Sequence, residues 1–175
     1  MKILQLGCGP HKRPDAIGVD INPRSAADVI CDLNSVPYPF VSNSFDLILC
    51  EHILEHLDDI VQTMSELHRI CKPHARILVE VPHYASTYAF RDPTHKHFFS
   101  IHTFDYFLDG TPVYQFHYSD VQFRLLRVEF PPPPHAGFLK RIAFRLINRH
   151  IDWYERRLAF IFPRHLLRFE LMVVK

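Results

Sequence analysis

The stretch LQLGCGPHKRPDAIGVDINP, residues 4–23, constrains the chain more than any other. A short apolar run ends in Gly7, Cys8 and Gly9, and a second ends in Asp20, eleven residues after Gly9. A glycine turn after one strand lets a ligand approach the backbone closely. A carboxylate at the tip of the next strand can accept both hydroxyls of a ribose. Together they specify a nucleoside-containing cofactor lying across the carboxyl ends of a parallel sheet. A dinucleotide fingerprint would need a third glycine at position 12, which is Lys12, and an acid about 20 residues on. Without a glycine-rich helix start a pyrophosphate loses much of its site. A cofactor with ribose and adenine but no phosphate fits better, and a nicotinamide-dependent dehydrogenase is disfavoured.

The first 83 residues alternate strand and helix. KILQL (2–6), AIGVD (16–20), DVICDL (28–33), SFDLILCE (44–51) and RILVEVP (76–82) read as five strands. Residues 57–71 read as a helix, because Ile60, Val61, Met64, Leu67, His68 and Cys71 recur at helical spacing. Asp58 and Asp59 sit in its first turn and Arg69 and Lys72 near its end, as the helix dipole prefers. Lys72-Pro73-His74 reads as a break. Near-continuous apolar strands predict a parallel sheet covered on both faces. Beyond residue 84 the chain turns aromatic and histidine-rich, and reads as a loop followed by a short helix over 100–108. FRLLRVEF (123–130) is a sixth strand, and PPPP (131–134) forbids regular pairing after it. Residues 138–162 form an amphipathic helical region and LRFELMVVK (167–175) a last strand. The expected organisation is a single α/β domain over 1–175. It has a cofactor-binding half at 1–83, an acceptor-side loop and helix at 84–122, and a basic helical insert at 135–165.

LQLGCGP (4–10), GVDI (18–21), CDLNSVPYPFVSNSFDLILCEHILEHL (31–57) and ELHRICKPHARILVEVP (66–82) resemble, in this order, the class I S-adenosylmethionine-dependent methyltransferases. The resemblance implies a Rossmann-like methyltransferase fold: a mainly parallel twisted sheet, helices on both faces and an antiparallel C-terminal strand. It implies S-adenosyl-L-methionine as cofactor and S-adenosyl-L-homocysteine as product. Gly7 and Gly9 would pass beneath the methionine and ribose, with Leu6 and Cys8 beside them. Asp20 would bind the ribose hydroxyls, next to Ile21, and Asp32 with the Leu33 amide would read the adenine. Glu51 and His52 would line the methyl end. Two departures stand out. Gln5 replaces an acid common in the family, and the segment from Gly9 to Asp20 is too short for a full first helix, as in a shortened variant of the superfamily. Lys12 or Arg13 would hold the methionine carboxylate by charge, or both are solvated loop residues. Glu55 and His56 of LEHL read as stabilisers of the local helix ahead of substrate contacts.

Methyl transfer needs a positioned acceptor and, for a hydroxyl or protonated amine, a general base. Candidates follow the fifth strand: His83, Tyr84, Tyr88, Arg91, Asp92, His95 and His97. In an extended loop His95 and His97 share a face and would both point into one cleft. His95 or His97 is expected to be the base or acceptor-binding residue, with His83 and Asp92 as further catalytic candidates. A metal held by Asp92, His83, His95 and His97 is a rival, as is a purely structural role; no metal ligand is assigned.

Residues 135–170 carry 8 Lys/Arg against 3 Asp/Glu, net +5, and the remainder nets −4. The helical region there places Leu139, Ile142, Ala143, Leu146, Trp153, Tyr154 and Leu158 on one side and its basic residues largely on another. It reads as a docked helix with a solvated basic face, a homodimer contact, or a peripheral contact with an anionic membrane through 138–162. The overall charge of +1 argues against a dedicated nucleic-acid binder. The four cysteines form no CxxC pair, no apolar run approaches 18 residues, and no signal-peptide pattern opens the sequence. A soluble, cytoplasmic protein is expected. The expected activity is methyl transfer to oxygen or nitrogen of a small-molecule or glycan-type acceptor. The alternative is a non-catalytic S-adenosylmethionine-binding module that regulates a partner protein.

Overall fold

The computed structural model of the chain describes residues 1–175. Its strands are β1 (Ile3–Leu6), β2 (Ala16–Asp20), β3 (Val29–Ile30), β4 (Phe45–Glu51), β5 (Cys71–Pro82), β6 (Gln122–Glu129) and β7 (Leu166–Val174). They form one sheet of order β3-β2-β1-β4-β5-β7-β6. The first five strands pair in parallel, and β7 runs antiparallel to both β5 and β6. The order reverses between β1 and β4, so a crevice opens outside the carboxyl ends of those two strands. Leu6, Asp20 and Glu51 stand at that edge.

The helices are α1 (Ile60–Ile70), α2 (Thr87–Arg91), α3 (Phe138–Arg149) and α4 (Ile151–Arg157). Asp59 caps α1, its carboxylate accepting the Gln62 amide at 2.9 Å. Thr63, Met64, Glu66, Leu67 and Ile70 face inward at the i, i+3, i+4 spacing. Met64, Leu67 and Ile70 join a core of 32 residues built from one face of every strand but the short β3. Phe144, Tyr154 and Ala159 bring the helical insert into that core. Phe104 lies edge-on to Phe169 at 4.8 Å and brings in the acceptor-side segment. Phe169 is fully buried, so its truncation to alanine costs about 3–5 kcal/mol.

The sheet is mainly parallel with an antiparallel C-terminal strand, as the sequence implied, but its helical cover is uneven. The opposite face holds a small cluster of Ile3, Ala16 and Leu49, with Leu47 and Leu78 packed against it and no helical residue among them. Cross-strand ion pairs continue that face over β5 and β7: Glu80 with Arg168 at 3.0 Å and Arg76 with Glu170 at 2.9 Å. The connections over 7–15, 21–28 and 31–44 contain no helix, which leaves α1 as the one helical crossover of the parallel half.

Several boundaries differ from the sequence expectation. Lys72-Pro73-His74 does not break the chain. It forms a bulge inside β5, where the pairing jumps from Phe45–Cys71 to Leu47–Arg76 and His74 takes a left-handed φ of 63°. The third strand shrinks to two residues. The short helix expected over 100–108 is a single 3-10 turn at Asp105–Phe107, and α2 falls where a loop was expected. The long amphipathic helix divides at His150, which leaves helical angles at φ −127° and ψ 45°.

Candidate active site

Two cavities open at the carboxyl edge of the sheet. The first, about 210 Å³, is lined by Gly7, Asp20, Ile21, Asp32 and Leu33. Cys31, Asn34, Ile53, His56 and Leu57 complete it. Gly7 and Gly9 take left-handed φ values of 59° and 52°, which glycine adopts without strain. A Cβ on Gly7 would lie 2.7 Å from Ile53 Cδ1, whereas the space over Gly9 is open. Asp20 fixes the turn: its carboxylate accepts the Gly9 amide and the Asn22 amide, each at 2.8 Å. A carboxylate has about four acceptor positions, so two remain for other donors. Asp32 accepts the Asn34 amide through Oδ1 at 2.9 Å, and its Oδ2 has no protein partner.

Leu6 and Cys8 are buried beneath the turn and support it. Burial, and then the Asp20 charge, hold the Cys8 thiol pKa up, so it is no nucleophile. Glu51 lies outside both cavities, 3.5 Å from Gln5 Nε2. Lys12 pairs with Asp28 at 2.7 Å and Arg13 with Asp15 at 2.6 Å, so each expected cation already has its own acid.

The second cavity, about 480 Å³, is lined by His52, Glu55, His56, Tyr88, Arg91 and His95, with Asp92 at its rim. His56 lines both cavities. His52 ends β4 in a left-handed conformation, φ 55°. Glu55 accepts from His52 Nδ1 at 3.3 Å and raises the imidazole pKa above its ordinary value, against the effect of burial.

The histidines expected to act together separate. His95 reaches the cavity. His97 does not: its Nε2 donates to the Leu57 carbonyl at 2.8 Å. The loop is curled rather than extended, because Asp92 accepts the Thr94 amide at 2.8 Å and closes a turn. His83 is fully buried, with Nε2 2.9 Å from Glu155, and touches neither cavity. Asp92 shapes the turn, and its hydrogen bonds from Thr94 hold its carboxyl below the usual range. The rival metal set of Asp92, His83, His95 and His97 therefore does not converge. A different trio does: one donor atom each of Glu55, His56 and His95 lies within 4.8 Å of the other two. The repeated Glu-His pair in EHILEH (51–56) was the readable signal for it.

Residues 4–79 match the methyltransferase domain family. No curated protein matches the sequence. Among solved structures, the fold is similar to an S-adenosylmethionine-dependent methyltransferase from Archaeoglobus fulgidus. The two are 20% identical, the match covers 98% of this chain and 85% of that one, and the TM-score is 0.59. It is similar to another from Mesorhizobium loti, at 16% identity, 98% and 90% coverage and a TM-score of 0.58. It is also similar to a Haloferax volcanii protein solved with the Trm112 methyltransferase activator, at 13% identity, 99% and 83% coverage and a TM-score of 0.61.

The domain match spans residues 4–79, and beyond it the whole chain shares the fold of solved S-adenosylmethionine-dependent methyltransferases. The S-adenosylmethionine expected from the sequence suits the first cavity. Its open glycine turn, the spare acceptor positions of Asp20 and the unpartnered Oδ2 of Asp32 match a ribose and an adenine amino group. No helix of the chain is long and apolar enough to cross a membrane.

Proposed function

We propose that the protein transfers a methyl group from S-adenosylmethionine to an oxygen or nitrogen of a small-molecule or glycan-type acceptor in the second cavity. The observation that carries this is that both cavities open at the carboxyl edge of the sheet and share His56 in their linings. Bound S-adenosylmethionine supplies a sulfonium methyl: the acceptor lone pair bonds to its carbon, the carbon–sulfur pair stays on sulfur, and S-adenosylhomocysteine and a proton remain. In this reading Gly7, Gly9, Asp20, Ile21, Asp32 and Leu33 bind the cofactor, with Leu6 and Cys8 supporting the turn. His52 lies toward the methyl end. His95 receives the hydrogen of the acceptor group. Its Nδ1 is 3.0 Å from the Ala89 carbonyl, which can only accept, so Nδ1 carries the proton and Nε2 is left bare. Arg91 and Tyr88 give the cavity a cation and an aromatic face suited to a polar acceptor.

Methyl-labelled S-adenosylmethionine incubated with the protein and a small-molecule extract tests this. Label should enter a product with the intact chain and fail to do so with His95→Ala. Cofactor binding without any labelled product across acceptor classes would instead favour the non-catalytic module that regulates a partner.

The helical insert supports a second surface. Phe138, Leu139, Trp153, Phe160, Ile161 and Phe162 are all more than half exposed, beside Lys140, Arg141, Arg145 and Arg149. Exposed apolar side chains interleaved with cations suit an anionic membrane surface. Such a contact would bring the cavity to a membrane-presented acceptor.

A further inference from the structure

We propose that Glu55, His56 and His95 bind a divalent transition-metal ion at the wall of the second cavity. The three ligands come from two segments held together. Glu55 and His56 lie on the 3-10 turn Leu54–His56, and His95 lies in the loop after α2. The Lys96 amide donates to the Glu55 carbonyl at 2.7 Å and locks one segment on the other.

Both imidazoles are oriented as metal ligands are. His95 Nδ1 donates to the Ala89 carbonyl at 3.0 Å. Thr94 donates its one hydroxyl proton to Asp92 Oδ1 at 2.7 Å, so its oxygen accepts from His56 Nδ1 at 2.9 Å. In each neutral ring the proton is therefore fixed on Nδ1, and Nε2 is a bare lone pair with no protein partner. Outer partners of this kind, a carbonyl and a hydroxyl backed by a carboxylate, set the tautomer of metal-bound histidine. The rings stand edge to face, with centroids 4.8 Å apart.

The third ligand supplies an independent observation. Glu55 is 1% exposed, and its Oε2 is buried without any hydrogen-bond partner. A buried carboxylate oxygen with no donor is costly unless a cation meets it. Its one side-chain hydrogen-bond partner, His52, engages Oε1. Ligand atoms around a tetrahedral ion sit about 3–3.5 Å apart, so the trio, now within 4.8 Å, closes by at most about 1.5 Å on binding. Two imidazoles and one carboxylate favour zinc-like or iron-like divalent ions over magnesium or calcium, which prefer oxygen.

Three protein ligands leave an open coordination position. All three ligands line the acceptor cavity, where the ion would orient an acceptor oxygen and acidify its proton. With the ion bound, the acceptor meets the cation in place of His95 Nε2. This use rests on the proposed methyltransferase reading; the binding itself does not.

Calorimetric titration of the chelator-treated intact chain with Zn²⁺ tests it, with S-adenosylhomocysteine titrated into the same preparations. One saturable zinc site per chain is expected. Glu55→Gln and His95→Ala should each weaken it about 10- to 100-fold, and His74→Ala, an exposed histidine elsewhere, should leave it unchanged. Retained S-adenosylhomocysteine binding reports that each variant is folded. Co²⁺ added to the intact chain, which depends on no variant, should give the strong visible bands of a four- or five-coordinate site. The absence of a saturable zinc site, or affinity unchanged in both variants, overturns the metal site. Zinc binding without S-adenosylhomocysteine binding removes the methyltransferase reading and leaves the metal site standing.

Discussion

His83 Nε2 lies 2.9 Å from Glu155 Oε1, joining the end of β5 to α4 inside the core. The same carboxylate oxygen accepts the Ile101 amide at 2.9 Å. One acid of the helical insert thus anchors both the sheet edge and the acceptor-side segment. Glu155→Ala leaves two buried donors unpaired, at about 1–3 kcal/mol each. Urea denaturation should show a loss of about that size, and Glu155→Gln, which keeps an acceptor, should lose much less.

The glycine turn and Asp20 form one unit, since Asp20 holds the Gly9 amide. Asp20→Ala frees the turn and, in the proposed reading, removes the ribose acceptor with it. Gly7→Ala forces a Cβ against Ile53 and a side chain into a left-handed conformation. Calorimetry with S-adenosylhomocysteine should show affinity falling more than tenfold in each, and NAD should not bind the intact chain.

His102 bridges Asp105 at 2.8 Å and Asp152 at 3.1 Å, and both its nitrogens can donate only when it is protonated. Burial opposes the charge, but the two carboxylates outweigh it and raise the pKa above its ordinary 6.5. A raised pKa means that the folded state holds the proton more tightly. The stabilisation is complete below pH 6.5 and is lost as pH rises through the folded value. The thermal midpoint should therefore decline over that window, with a small amplitude because the group is half exposed. His102→Asn should remove that part of the slope.

Vesicles containing anionic lipid should retain the protein at low salt and release it as salt rises. Replacing Arg141, Arg145 and Arg149 with glutamine should abolish retention. No retention of the intact chain, together with a dimeric mass in solution, would assign the exposed face to self-association.

Much of the fold of residues 1–83 was legible in the sequence, because its strands are short apolar runs, and Gly7, Asp20, Asp32 and Leu33, at fixed offsets from them, line one cavity. The acceptor half was not. Residues 84–112 have no apolar period to read, and α2 is set by a Ser86 cap on only five residues. The sequence spacing of His95 and His97 suggested a shared face, but the Asp92 turn rotates one into the cavity and the other onto the Leu57 carbonyl. Glu55 looked like a helix stabiliser because its burial is created by a loop forty residues later, pinned at Lys96. Long-range placement of that kind leaves no trace in local pattern.

The sheet order also has a consequence in time. β7 is the last strand in the chain, yet it lies between β5 and β6. A polypeptide emerging amino end first has made β6 well before the strand that β6 pairs with. Until residues 166–174 follow, one edge of β5 stays open and β6 has no neighbouring strand. The unfinished protein therefore carries an open, strand-pairing edge of the kind that recruits chaperones or other nascent chains. Synthesis of the nine residues of β7 closes it.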